Sequence, residues 1–517
     1  MATSWIEQGK QFKSPLSVVA GFLLRSRETQ ANRAKEKTHQ IQQLNKSLEQ
    51  QQKSLEELRE QLADKVAEIA RLKAENERLR KQPPVLPEDP PLPRHDFGPK
   101  MISLCVNLAR RVGLRAAADA VTMFLDWLGI SAKLPTWTTI RTWVVRAGVA
   151  AIGRPIEPAD DWIWMADHSN QIGQEKALSI IGMRASQMPP PGVPLKHEHV
   201  RVLELTPGTR WKREDVAEVY DQLAQQCGAP LAVLVDGAVE LREGAEVLQK
   251  HGKNTLVLGD LKHHAANVLK KTLESDARFA DFNSHLGRTR SAIQQTELAH
   301  FTPPSPRPKA RFMNLAPTLR WAQMVSWQLS HPHAEARREI TTTRMNEKLG
   351  WVREFRDDIA RWNACQAVVS ASLTFINEQG VFRGAARKLR DHLRSMRTGD
   401  KAGEDAASRQ VTAKLLRFVR QQESMLEPGQ RLPLSTEILE SSFGLFKQLE
   451  RQHSKGGLTG LLAAYGCLLH TSTPESIRSD FARVSVKDMR AWVSDKLGKT
   501  ITSKRQAAYR EFRLATN

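Results

Sequence analysis

Three hydrophobic patterns follow one another along the chain. From Ile41 to Leu79 apolar residues recur with a heptad period. Ile41, Leu48, Leu55, Leu62 and Ile69 hold one core position, and Leu44, Leu58, Leu72 and Leu79 hold the other. Asn76 continues the first series, while Gln51 and Lys65 interrupt the second. Such a seam predicts a coiled coil, and a lone helix would leave it wet, so self-association as a homodimer or higher oligomer is expected. Asn76 favours a parallel two-stranded register, because its amide can pair with its own copy across the seam. The alternative is a helix folded onto its own globular body. The proline-dense run from Pro83 to Pro93 forbids helix and predicts an extended spacer.

Beyond the spacer a short-helix pattern predicts helices at Ile102 to Val112, Leu114 to Leu128 and Thr136 to Arg146. The last places Thr138, Thr139 and Arg141 at its front, where a recognition helix touches DNA, so a helix-turn-helix is one reading. A core face made by Trp137, Ile140, Trp143 and Val144 is the other. From Asp161 the period becomes that of strands: Trp162 to Asp167, Ala177 to Met183 and Val200 to Leu205, with turns at Ile172-Gly173 and at Pro189 to Pro194. A helix (Arg213 to Gln226), a strand (Leu231 to Val235), a helix (Val239 to His251) and a strand (Thr255 to Leu258) follow. Three sequential strands and then alternation describe a mixed sheet, and continuous apolar strands require cover on both faces. From His263 to Glu427 the chain reads as helical and basic, broken at Pro303, Pro304 and Pro306. An amphipathic helix spans Ser435 to Lys447, and basic helices close the chain.

The pattern thus gives a multidomain α+β fold. Its segments are 1–82 with the coiled coil at 41–79, a Pro-rich linker at 83–100, and a helical HTH-like DNA-binding domain at 101–151. A mixed α/β core follows in two parts, 160–262 and 431–483, around a large all-helical insertion at 263–430, with a helical C-terminal region at 484–517. A length of 517 residues agrees with several structural units.

Charge narrows the partners. The formal net charge is +20 and the pI near 9.9, which suits a polyanion, and nucleic acid is the expected one. Cys105, Cys227, Cys365 and Cys467 are scattered, with no CxxC pair or Cys/His cluster, which speaks against a zinc module or disulfide framework and fits a reducing compartment. No apolar run is long enough to span a bilayer. A cytoplasmic, nucleoid-associated protein with no membrane partner is expected.

The candidate chemistry rests on acids. Asp167 ends the first strand, Asp236 ends Leu231-Ala-Val-Leu-Val, and Glu440 lies on the amphipathic helix. Three carboxylates from distant segments would make a hard-oxygen site suited to two magnesium ions, with Mn2+ able to substitute. Asp260 competes with Asp236, since it also ends a strand, but Asp-Gly closes the longer buried strand and favours Asp236, leaving Asp260 as an auxiliary acid. Glu437 competes with Glu440 one turn earlier. His168 points to the opposite sheet face by alternation and reads as structural.

Met165-Ala-Asp167-His-Ser, Val235-Asp236-Gly237-Ala238 and Thr436-Glu-Ile-Leu-Glu440-Ser-Ser-Phe-Gly-Leu-Phe-Lys447, in that order, resemble the RNase H-like catalytic domain of DDE transposases. The likeness is greatest to insertion-sequence, Mutator-like and hAT-type members with an all-helical insertion. Asp260-Leu-Lys-His263 resembles their C/DxxH element. The resemblance implies that Asp167, Asp236 and Glu440 are catalytic metal ligands, with His263 as an auxiliary near the scissile phosphate. It also implies an Arg-Trp pair that stacks on a flipped base, for which Arg320-Trp321 and Arg361-Trp362 are the candidates, both tryptophans having core packing as the alternative. Lys447, Arg451 and Lys455 are candidate phosphate contacts or plain surface residues. The implied function is DNA transposition: binding of double-stranded terminal repeats, then cleavage and strand transfer into target DNA. A DNA-binding regulator with a degenerate core and a structure-specific nuclease of the same fold are the rival readings.

Overall fold

The structure is a computed structural model that describes residues 15–81, 88–170, 176–249, 255–305, 312, 315–331, 342–396, 406–451, 459–497 and 501–516. Lys455, Pro83 to Pro87, the turn at Ile172-Gly173, His251 and Pro306 lie outside those residues. The chain divides into two compact units, Met1–Leu86 and Pro87–Asn517.

The first unit is one helix, α1 (Leu16–Lys81), of 66 residues. It contains the whole heptad segment and extends well in front of it. The seam is bare in the single chain: Ile41 is 56% exposed, Leu48 54% and Leu62 65%.

The second unit begins with α2 (Pro99–Val112), α3 (Leu114–Trp127) and α4 (Trp137–Ile152). Gly113 at φ 90° allows the sharp turn between α2 and α3, and Thr136 caps α4 by accepting from the Thr139 amide. These helices do not close on a core of their own. Ile102, Leu114, Ile140 and Val144 belong to the same apolar cluster as Ile163 and Met165 of the sheet and Phe443 and Tyr465 after it. The rear of α4, from Trp143 to Ala150, is buried on every side. Gly148 makes this possible: a Cβ there would lie 2.0 Å from the Ala463 carbonyl oxygen.

The strands are β1 (Trp162–Asn170), β2 (Lys176–Arg184), β3 (Arg201–Gly208), β4 (Ala232–Val235) and β5 (Leu256–Gly259). They form a five-stranded sheet in the order β3-β2-β1-β4-β5. The first three pair antiparallel, while β4 and β5 run parallel to β1. Parallel strands need crossovers, supplied here by α5 (Arg213–Cys227) and α6 (Val239–Gln249). Val216, Tyr220, Leu223 and Leu241 from these helices bury the sheet face made by Trp162, Trp164, Ala166, Val233 and Val235. Ile163, Met165, Ala232, Leu234 and Leu258 alternate to the other face.

Helices follow β5: α7 (Leu261–Leu273), α8 (Ala277–Ile293), α9 (Leu315–Ser330), α10 (Thr342–Leu349), α11 (Arg356–Gln379), α12 (Ala385–Ser395) and α13 (Ala406–Glu423). Phe279, Phe282, Trp321, Phe355 and Trp362 build a separate aromatic core among them. A two-stranded ribbon, β6 (Val381–Phe382) with β7 (Arg431–Leu432), leads into α14 (Glu437–Arg451). The chain ends with α15 (Tyr465–Leu468), α16 (Pro474–Arg483), α17 (Val486–Leu497) and α18 (Ile501–Thr516). The observed architecture is therefore a multidomain mixed α+β fold around one mixed sheet.

Candidate active site

Strand alternation decides which way the acids face. Asp167 continues the series Ile163, Met165, and Asp236 continues Ala232, Leu234, so both stand on the sheet face that packs against α14. The register aligns them. Ala166 pairs with Val235 across the parallel β1/β4 ladder, and Val235 pairs with Gly259 across β4/β5. Asp236 and Asp260 stand immediately past β4 and β5, whereas Asp167 lies within β1, which runs on to Asn170 because its pairing with β2 continues, so the expected strand end at Asp167 is corrected. The three aspartates follow one another across adjacent strands about 4.8 Å apart.

Glu440 reaches this row from the first turn of α14. The lead-in to α14 is tied down where the Leu261 amide donates to the Leu434 carbonyl at 2.9 Å and where the Thr436 hydroxyl donates to Asp260. The carboxylate lies near enough to Asp167 to raise its pKa.

The electrostatics separate the four acids. Burial, and then the Asp236 carboxylate, push Asp167 up to about 7, with His263 offsetting part of the rise. Two neighbouring carboxylates cannot both ionise freely without a cation. Asp167 Oδ1 accepts from the His168 amide at 2.6 Å, and Asp236 Oδ1 from the Ala238 amide at 2.8 Å across the turn at Gly237. Glu440 Oε2 accepts from Lys262 Nζ at 2.8 Å, while its buried Oε1 has no hydrogen-bond partner and lies 4.0 Å from His263 Nδ1.

Asp260 differs, because its side chain is fully buried and its oxygens are occupied. Oδ1 accepts from the Lys262 amide at 2.7 Å, and Oδ2 accepts from His263 Nδ1 at 2.7 Å and from Thr436. The ligand atoms of Asp260, His263 and Glu440 lie within 4.8 Å of one another, so this trio has metal-site spacing. Both oxygens of Asp260 already accept hydrogen bonds, three in all, so it also acts as a positioning group. Burial opposes charge on His263, but the hydrogen bond from its ring to Asp260 and the surrounding acids win, raising it to about 9. Its ring therefore carries a proton at neutral pH.

These observations test the fit of a divalent cation. Glu440 Oε1 has no hydrogen-bond donor, and Asp167 is raised by burial first and by the Asp236 carboxylate second, two features that a hard divalent cation would relieve. Among the described residues the group with metal-site spacing is Asp260, His263 and Glu440, with Asp167 and Asp236 close enough to act electrostatically on its members.

Glu437 is set apart from Glu440: it is half-exposed, accepts from Asn377 Nδ2 at 2.7 Å and stands 3.6 Å from Lys262 Nζ. His168 turns to the other face, its ring centroid 5.6 Å from that of Trp211 and its Nε2 3.6 Å from Glu240.

The remaining candidates lie elsewhere. Thr138 is exposed, and Thr139 and Arg141 are half-buried on the first turns of α4. Arg320 is exposed on α9, but Trp321 is buried and its Nε1 donates to the Phe301 carbonyl at 2.6 Å. Arg361 pairs with Asp276 and Asp358, and Trp362 is fully buried among Phe279, Phe282 and Phe355, its Nε1 donating to Asp276 at 3.1 Å. Neither indole presents a face for a base to stack on, which corrects that expectation. Trp327, 52% exposed and stacked at 4.6 Å on His331, is the bare indole of α9, and it falls seven residues after Arg320 on the same helix side. Lys447 is half-buried along α14, and Arg451 is exposed at its end.

No family model matches the chain, and no curated protein matches it. Among solved structures it matches the Drosophila P element transposase strand transfer complex, with a TM-score of 0.35 and 12% identity, over 74% of this chain and 91% of that chain. A likeness at that level does not establish a shared fold.

Proposed function

We propose that the chain is a DDE-type DNA transposase whose sheet, α5, α6 and α14 form an RNase H-like core interrupted by the helical insertion α7 to α13. The observation that supports this reading is that Asp167 and Asp236 stand side by side on one sheet face, with Glu440 near enough to act on Asp167 and one of its oxygens without a hydrogen-bond donor. Asp167, Asp236 and Glu440 would hold two magnesium ions. Bound there, such ions supply activation of an attacking water or 3'-hydroxyl and neutralise the departing oxyanion.

The chain's own residues then divide the remaining work. Lys262 fixes one oxygen of Glu440 and so aims the other. Asp260 keeps the His263 ring oriented and charged, where it can offset phosphate charge beside the acids. Thr436 locks α14 to Asp260, which fixes the height of Glu440 over the strands. The basic surface binds duplex terminal repeats and target, and α1 pairs two copies so that two DNA ends are handled together.

The test compares Asp236→Asn with the parent chain for magnesium-dependent nicking of DNA carrying the element ends. A loss on the order of 10^3-fold is expected; undiminished nicking refutes the site. Joining of the freed 3'-hydroxyl to a second duplex separates a transposase from a nuclease of the same fold. A regulator with a degenerate core would bind without cutting.

A further inference from the structure

Helix α1 is longer than its heptads, and its front part has a different character. Carried backward from Ile41, the two core series fall on Ala34 and Arg27 and on Lys37 and Gln30. A lysine and an arginine facing their own copies in a dry seam would repel and lose hydration, so paired helices part in front of Ile41. The backbone nevertheless stays helical without a break to Leu16. Two helical arms therefore leave the end of the coil, exposed throughout from Arg27 onward.

Charge is concentrated in those arms. Residues 25–40 hold five Lys or Arg against two Glu, whereas residues 41–79 hold seven against eight acids. Charge placed only for solubility would not collect in front of the seam. We propose that residues 25–40 are a duplex-DNA-binding element: in the paired chain, two basic helices diverge from the coil and lie along the major groove. This rests on the reading of the chain as a self-associating, DNA-acting protein.

The dimensions and chemistry agree. Sixteen residues make an arm of about 24 Å, and the major groove is about 12 Å wide and admits a helix. Arg25, Arg27, Arg33, Lys35 and Lys37 can neutralise phosphates, while Gln30 and Asn32 are of the type that reads adenine. Ala31 and Ala34 leave the arm slim at its middle.

Both arms must emerge from the same end, which requires a parallel pair. Asn76 meets Asn76 only in that register, and Glu68 and Lys73, which flank the seam, then face each other across it. Lys65, a core position, bends aside to Glu68 at 2.7 Å, which takes its charge off the axis.

The test uses the full chain in EDTA, so that binding is read without cleavage. Arg27→Gln, Arg33→Gln, Lys35→Gln and Lys37→Gln are combined, glutamine keeping the helix, and sedimentation verifies that self-association is unchanged. Anisotropy of a labelled random duplex of about 30 base pairs is followed against salt. The slope of log affinity against log salt should become shallower by about 3 to 7, with affinity at physiological salt falling at least about 100-fold. Leu55→Asp with Leu62→Asp, which splits the coil, should weaken binding in the same sense by separating the arms. A combined glutamine variant with parental slope and affinity overturns the proposal. So does one that loses adhesion to phosphatidylserine vesicles while keeping its DNA binding, which would give the arms to a lipid surface. Loss of nicking in Asp236→Asn is read independently, so this inference and the active-site reading can fail separately.

Discussion

Asp167 and His263 make the metal-free site sensitive to pH, and the sign follows from the direction of each shift. Asp167 is raised from 3.8 to about 7, so its contribution to stability is full below 3.8 and is lost as pH rises through about 7. His263 is raised from 6.5 to about 9, so its contribution is full below 6.5 and is lost as pH rises through about 9. In EDTA, the melting temperature should fall between pH 5 and 7.5 and again toward pH 9.5. Asp167→Asn should remove the first fall, and His263→Gln the second. Magnesium should raise the melting temperature of the parent at pH 8 far more than that of Asp167→Asn, because the cation binds the ionised carboxylate. Equal magnesium shifts in the two proteins would dissociate Asp167 from the metal.

Thr436 carries a second prediction at this scale. Its hydroxyl is buried against Asp260, so Thr436→Val keeps the shape and leaves a buried carboxylate oxygen short of a donor. A stability loss of about 1 to 3 kcal/mol is expected in denaturant melts. Nicking should fall as well, since α14 loses a tether to the acid row.

At the level of elements, much of the sheet was legible because the strands carry their own signal. Period-2 alternation over Trp162 to Asp167 tells Asp167 from His168, and the structure puts them on opposite faces. The amphipathic repeat of α14 marked Glu440, but Glu437 lies only one turn away and shares Lys262 with it; what separates the two is that Glu437 is the more exposed and is held by Asn377. Asp236 and Asp260 both end parallel strands, and the sequence ranks Asp236 first only by the length of the buried run before it. Two of the hydrogen bonds to Asp260 are local, from Lys262 and His263 at the start of α7, while the third, from Thr436, has no local trace. The helical insertion hid more. An Arg-Trp dipeptide places its two side chains about 100° apart on a helix, so one can be wet while the other is core. Arg320 and Trp321 divide in that way. Trp321→Ala or Trp362→Ala should cost about 3 to 5 kcal/mol in denaturant unfolding. Trp327→Ala, on the exposed side, should cost less than about 0.5 kcal/mol. A reversed order would mean that the insertion packs differently.

At the scale of the whole molecule, the heptads and the acids lie in separate units, the first a long local repeat and the second a set of residues far apart in sequence. Under the proposed function, what joins them is pairing. If α1 brings two acid sites to two DNA ends, a chain that pairs but cannot cut should poison its partner. Mixing the parent with a threefold excess of Asp236→Asn should leave about one quarter of the chains active but only about one sixteenth of the pairs doubly active. Products cut at both ends should follow the smaller fraction, and single-end nicks the larger. Adding Leu55→Asp and Leu62→Asp to the inactive chain removes its seam, so it can no longer enter a pair, and suppression should vanish at the same excess. Suppression that persists with the split coil would place the pairing surface in the second unit. A linear loss with the intact coil would mean that each chain completes both ends alone.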